Sequence, residues 1–220
     1  MFSSAHATTV VIDFEDQVAG TIIDDEYSQY FTVTTNSNGT NDAAVIFDTD
    51  NPTGNDHDLE SPFSPYNGVG GNLIAGNALI ISEDARGVSC NAVSCTPADD
   101  EGRGGVISFM FNEAVTFLGL DALDITDSRA SFRVAFYSLD NLLLSSITAP
   151  SGVGDNEFIS LVDNAITNVG RVDFLFGGSG AIDNIRFETP ATAVSAPGTL
   201  ALVMSSLVGY GAMRRRKKVA

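Results

Sequence analysis

Apolar and polar residues alternate with a period of two in short runs along most of the chain, and clusters of Gly, Asn, Asp and Pro close each run. Together these strand and turn signals predict a β protein. The runs are Thr9–Glu15, Tyr30–Thr35, Ala43–Phe47, Ala78–Ser82, Val106–Phe111, Val115–Leu120, Phe132–Leu139, Leu142–Ile147, Phe158–Leu161, Val172–Phe176 and Ala181–Phe187. Ile107, Phe109 and Phe111 share one strand face, as do Phe132, Val134 and Phe136, and both faces are expected in the core. So many strands exceed the comfort of one open sheet. Curling into two packed antiparallel layers buries one face of each, so the expected fold is an all-β, jelly-roll-like antiparallel sandwich over residues 8–188. No internal repeat or second domain boundary interrupts it.

The pattern changes after Glu188. Residues 189–198 turn to Ala, Thr, Ser, Val and Pro, a low-complexity spacer. Residues 199–213 then read TLALVMSSLVGYGAM, with no charge, before the basic tail at 214–220. As a helix this segment reaches roughly 22 Å, short of a ~30 Å hydrocarbon core, and snorkelling arginines with the preceding turn make up the difference. A single short C-terminal transmembrane helix is expected, its basic end cytoplasmic and the body across the membrane. The alternative is an amphipathic helix packed on the domain, but Leu200, Leu202, Val203, Leu207 and Val208 surround the helix and form no stripe. At the other end, residues 1–7 lack a basic n-region and an apolar h-region, while Ala5, His6 and Ala7 fit a small-residue cleavage site. They read as the remnant of an export signal, or else as a genuine start in which that site is coincidence.

Charge sharpens the picture. The 220 residues carry a formal charge of −17, yet Arg214, Arg215, Arg216, Lys217 and Lys218 all lie in the tail, while the 28 acids lie at or before Glu188. Upstream of the tail six arginines face those 28 acids, and no lysine occurs, so the body stands at −22. Binding to the phosphate backbone of nucleic acid is excluded on that balance. With 44% apolar residues, the chain is also too hydrophobic for a disordered polyanion.

Three places offer chemistry. The loop FDTDNPTGNDHDL, Phe47–Leu59, gathers Asp48, Asp50, Asp56 and Asp58 with Asn51 and Asn55. Oxygen ligands of this kind suit calcium, although an EF-hand would put its glycine and final acid at Thr53 and Leu59. A solvated turn built by the same Asx residues is the competing reading. In the last run, strict alternation puts Asp183 on the face of Ile185 and Phe187, where a carboxylate needs a partner or loses its charge. Glu15 from the first run is the expected partner, sharing calcium with Asp183 as first-strand and last-strand acids do in many jelly-roll carbohydrate-binding modules, which the pair resembles. Asp13 and carbonyls near Asp24 and Asp25 are possible companions, and a simply hydrogen-bonded Asp183 is the alternative. Cys90 and Cys95, the only cysteines, suit a short-loop disulfide in an exported chain better than zinc, since His6 and His57 are the only histidines.

Catalysis finds little support. His57 sits among aspartates with no nucleophile elbow nearby, Gly68–Gly71 is an ordinary loop, and a carboxylate pair can always be nominated among 28 acids. Glycan binding is the stronger rival, but the chain has no tryptophan, and the candidates Tyr27, Tyr30, Tyr66 and Tyr137 serve equally as half-buried sandwich tyrosines. Coplanar tyrosines beside an open groove would favour sugar; scattered rings would favour a structural role.

The turn at Ala196, Pro197 and Gly198, the apolar run from Thr199, its small Gly and Ser residues, and the cluster Arg214, Arg215, Arg216 together resemble the PEP-CTERM sorting signal of Gram-negative bacteria. Ser195, Ala196 and Pro197 stand where that family has Pro-Glu-Pro, so only the second proline is kept. The body is similar to a family of exported proteins bearing that signal, through IDFE at Ile12–Glu15, the Phe47–Leu59 loop, ALIISED at Ala78–Asp84, DDEGRGG at Asp99–Gly105, LDITD at Leu123–Asp127 and GSGAIDNIRF at Gly178–Phe187. The segment around Cys90 and Cys95 is a local elaboration. The resemblance implies export, membrane anchoring, recognition and removal of the tail by an exosortase, and a final place on the cell surface or in extracellular matrix. It implies no activity. Surface polysaccharide is the partner expected of the glycan-binding alternative.

Overall fold

The computed structural model describes residues 7–53, 57–83, 88–125, 131–161 and 164–191. Among them no α-helix occurs, and the strands are β1 (Thr8–Ile12), β2 (Phe31–Ser37), β3 (Ala44–Asp48), β4 (Ser64–Pro65), β5 (Asn77–Ile81), β6 (Ser89–Cys90), β7 (Cys95–Thr96), β8 (Gly105–Leu123), β9 (Phe132–Tyr137), β10 (Leu143–Thr148), β11 (Glu157–Leu161), β12 (Ile166–Phe176) and β13 (Ala181–Thr189). Thr8–Pro190 form one compact unit. Residues 1–6 and 192–220 lie outside the described residues.

The 19-residue β8 organises the whole unit. Its first part, Gly105–Phe111, pairs antiparallel with β2 on one edge and β12 on the other, and β9 and β10 extend that layer beyond β12. Its last part, Thr116–Leu123, pairs antiparallel with β13, and Leu120–Leu123 pair on the opposite edge with β11. Beyond β13 lie β5 and β3 beside its start and β1 beside its end. Two antiparallel layers therefore share one strand. Where the runs Val106–Phe111 and Val115–Leu120 suggested two strands, the structure has one, because the surplus residues Asn112–Ala114 form a bulge and not a turn. Arg171 faces Met110 while Val169 already faces Val115. Such a bulge bends a strand and increases its twist, which lets β8 pass from one layer to the other.

Between the layers lies an aromatic core. Phe31 stacks on Phe109 with ring centroids 4.4 Å apart, and cross-layer pairs such as Phe117 with Phe136 at 5.1 Å and Phe111 with Phe187 at 5.1 Å close it. The second layer is buried on its outer face as well: Val45, Phe47, Ala78, Ile80, Leu123 and Ala181 pack beneath loops that contribute Leu59, Phe63 and Cys95. The expected all-β sandwich is therefore present, with one layer covered on both sides.

Candidate functional site

The outer face of the second layer carries the chemistry. After β1 the chain reverses: Phe14, buried, adopts φ 59°, and the Gln17 N–H donates to the Phe14 carbonyl at 3.0 Å. A left-handed conformation costs a bulky residue about 1–2 kcal/mol. It lets the ring of Phe14 enter the aromatic core while Glu15 is delivered against β5. There the Asn77 N–H donates to Glu15 Oε1 at 2.7 Å, and the Asn77 amide holds the turn through the carbonyls of Phe14 at 3.2 Å and Gln17 at 3.0 Å. Gly76, at φ +61°, is required in two ways, since any Cβ there would strike the Glu15 carboxylate.

Asp183 comes to the same place from β13. The face expected from strict alternation is corrected by a bulge: Asp183 pairs with Asp121 and Arg186 with Gly119, so β13 carries one surplus residue. Asn184, at φ 50°, absorbs it. Ile182, Ile185 and Phe187 consequently face the aromatic core, while Asp183 points outward beside Asp121. Asp183 is only 1% exposed, and Asn184 donates to it twice, from the backbone at 2.6 Å and from the amide at 2.9 Å. Burial pushes the Asp183 carboxyl up to about 8, the Asn184 N–H opposes that rise, and the charges of Asp121, Glu15 and Asp13 add to it. Asp121 has its own partners, Ser160 and, at 3.5 Å, Arg186.

Asp13, Glu15, Asp50, Gly76, Asp183 and Asn184 line one cavity of about 350 Å³. The fold thus joins two groups that the sequence keeps apart, the Glu15–Asp183 pair and one acid of the Phe47–Leu59 loop. The rest of that loop is dispersed. Asp48 caps its own turn, accepting from the N–H groups of Asp50 at 3.0 Å and Asn51 at 3.2 Å. Asp58 acts on Asp100 instead, and Asp56 lies outside the described residues. No three carboxylates of the cleft have their oxygens mutually within 4.8 Å; among the described residues only Asp24, Asp25 and Glu26 do. That exposed surface cluster offers oxygen ligands for a metal ion, but Glu26 already accepts from the Asp24 N–H at 2.8 Å and Asp24 from the Asp25 N–H at 2.7 Å.

A further acidic group escaped the sequence reading. Asp100 is buried and accepts hydrogen bonds from the Ser179 hydroxyl and, at 2.6 Å, the Gly180 N–H. Burial raises its carboxyl to about 6 against those bonds, and the charges of Asp58 and Asp99 raise it further. Nothing distinguished it in sequence from Asp99, which is half-buried, or from Glu101, which is buried and paired with Arg103.

Cys90 and Cys95 form the expected disulfide, facing each other across the β6–β7 hairpin. His57 is exposed, 4.0 Å from Glu60. Tyr27 and Tyr30 line a second cavity of about 220 Å³, but Tyr27 is buried with its hydroxyl bonded to Asp16 at 2.6 Å, and Tyr30 meets Phe187 edge-on at 5.5 Å. Tyr137 lies beneath Arg171, and Tyr66 reaches the Ser151 carbonyl at 3.3 Å. These rings are scattered. Ala196, Pro197, Gly198, Thr199, Arg214, Arg215 and Arg216 lie outside the described residues, among which no helix is long and apolar enough to cross a membrane.

Fold and site together define an antiparallel β-sandwich domain with an acidic cleft where the turn after β1 meets β13 and the segments that follow β3 and precede β5. No family model matches the chain, and no curated protein matches it either. Among solved structures the chain is similar to a DUF4465 family protein from Bacteroides caccae, at 13% identity and a TM-score of 0.39, over 82% of this chain and 98% of that one.

Proposed function

We propose that this chain is an exported, non-catalytic β-sandwich of the cell surface or extracellular matrix, anchored through Thr199–Met213 until an exosortase processes it, whose cleft binds calcium. One observation carries the cleft: Asp183, almost wholly buried, shares a cavity with Glu15, Asp13 and Asp50, and the charges acting on it there are negative. The donors fit the ion. All are hard oxygens, and calcium takes 6 to 8 of these at about 2.3–2.6 Å in adaptable geometry. Asp183 is fixed and Glu15 is held at Oε1 by the Asn77 N–H, while Asp13 and Asp50 are exposed and can close around a cation. Bound there, calcium would staple β1 to β13 and remove the penalty of a buried carboxylate among acids. The address rests on the tail and its resemblance to the sorting signal, and the scattered tyrosines support a structural role over sugar binding.

Calcium at one hundred times its Kd adds about 2.7 kcal/mol, so it should raise the melting temperature and EDTA should lower it. A melt indifferent to both removes calcium from the cleft. For the address, deleting Thr199–Ala220 should move the protein from the membrane fraction to the soluble exported fraction. An unchanged distribution refutes the anchor.

A further inference from the structure

β9 and β10 are joined by a tight turn in which the Ser138 N–H donates to the Leu142 carbonyl at 2.9 Å and Asn141 takes φ 60°. This hairpin tip exposes four leucines, Leu139 at 54%, Leu142 at 66%, Leu143 at 61% and Leu144 at 40%. The other large exposed apolar residues, such as Val18, Val69 and Val93, stand singly along the sequence. Single exposed apolar residues are ordinary; a cluster at one tip marks an interaction surface. From Ser138 to Thr148 the only charged side chain is Asp140, in a body at −22. Beneath the tip, Arg171 lies over the Tyr137 ring at 4.1 Å and donates to Asn141 Oδ1 at 2.6 Å. Arginine and tyrosine below an apolar cap suit a membrane–water boundary, where each places a polar end in water and an apolar body in lipid.

Strand register says where this tip points. Tyr137 faces Arg171 and Arg171 faces Met110, so the tip lies at the level of the β8 bulge, Asn112–Ala114. Glu188 faces Thr116, so β13 ends at that same level. From there Pro190–Gly198 lead to Thr199, and nine residues extend no further than about 30 Å. The corner bearing the leucines is therefore the corner from which the chain leaves for its apolar segment. We infer that the Leu139–Leu144 hairpin contacts the lipid surface, its leucines entering the headgroup and acyl boundary by about 5–10 Å. This rests on Thr199–Met213 spanning the same bilayer. The tip is a second, reversible contact that fixes how the acidic body stands on the membrane.

The chain contains no tryptophan, so Leu142→Trp gives the full chain a single indole at the tip. Val69→Trp serves as the control, since Val69 is 81% exposed and follows the segment that β11 holds near the Leu123 end of β8. With phosphatidylcholine vesicles, the L142W emission should move to shorter wavelength and be quenched by lipids spin-labelled near the headgroup, while V69W stays unchanged. If the chain floats with the vesicles but the L142W emission does not move, the hairpin contact is refuted and the anchor stands. If the chain does not float with vesicles at all, both fall. A shift that appears without lipid and grows with protein concentration assigns the tip to a second copy of the chain and overturns the lipid contact.

Discussion

The two faces of the layer built around β13 are buried alike and composed unlike. Inward lie Ile182, Ile185 and Phe187, meeting rings from the opposite layer with no charge among them. Outward, Leu123 and Ala181 give way within two residues to Asp121 and Asp183, and Asp100 is buried under the Ser179–Gly180 turn. The inner face is held by area alone, which is non-directional and indifferent to pH. The outer face depends on protonation or on a cation, because a buried carboxylate without a counter-charge opposes folding. Stability is therefore concentrated inside and sensitivity outside.

The largest effect should come from the inner face. Phe117 is fully buried and spans the layers to Phe136, so Phe117→Ala should cost about 3–5 kcal/mol in denaturant unfolding. The loss should be the same in calcium and in EDTA, since the ring lies in the core between the layers and no carboxylate of the cleft depends on it. A loss that depends on calcium would mean that the two faces are energetically one, and the comparison would fail.

The inner face was also the legible one. Runs such as Tyr30–Thr35 and Val106–Phe111 carry their alternation openly, because area burial imposes a period that sequence must show. Bulges hid the rest. Asn112 and Glu113 look like a turn between two strands, and Asn184 looks like any outward polar residue, so nothing announced that β8 was continuous or that Asp183 had changed faces. Glu15 and Asp183 were paired through resemblance, whereas Asp50 joined them only because the β3–β5 register runs on past Asp48 and Asn77, where the Thr49 N–H donates to the Gly76 carbonyl at 2.8 Å. Asp100 was hidden among neighbouring acids, since composition does not tell which of several carboxylates a loop will bury. The tail remains legible in sequence alone.

A subtler experiment separates the outer face into its parts. In the metal-free protein the Asp183 carboxyl is raised to about 8 and Asp100 to about 6. A raised folded value means that the native state holds the proton more tightly than the unfolded chain, whose carboxyl titrates near 3.9. Stability in EDTA should therefore fall as pH rises, through Asp100 between about 4 and 6 and through Asp183 up to about 8. Calcium competes with the proton, so its stabilisation should be greatest above pH 8 and fade toward pH 5. Asp183→Asn removes the buried charge but turns an amide N–H toward the Asn184 donors, for a net gain of about 1–2 kcal/mol at pH 8 in EDTA. It should also abolish the calcium increment and flatten the pH slope between 6 and 8, leaving the slope from Asp100 in place. If D183N keeps its calcium increment, the ion sits elsewhere on the surface, with Asp24, Asp25 and Glu26 the next place to look. If it keeps the upper slope as well, the outer face owes its pH sensitivity to a carboxylate other than the one that joins the first strand to the last.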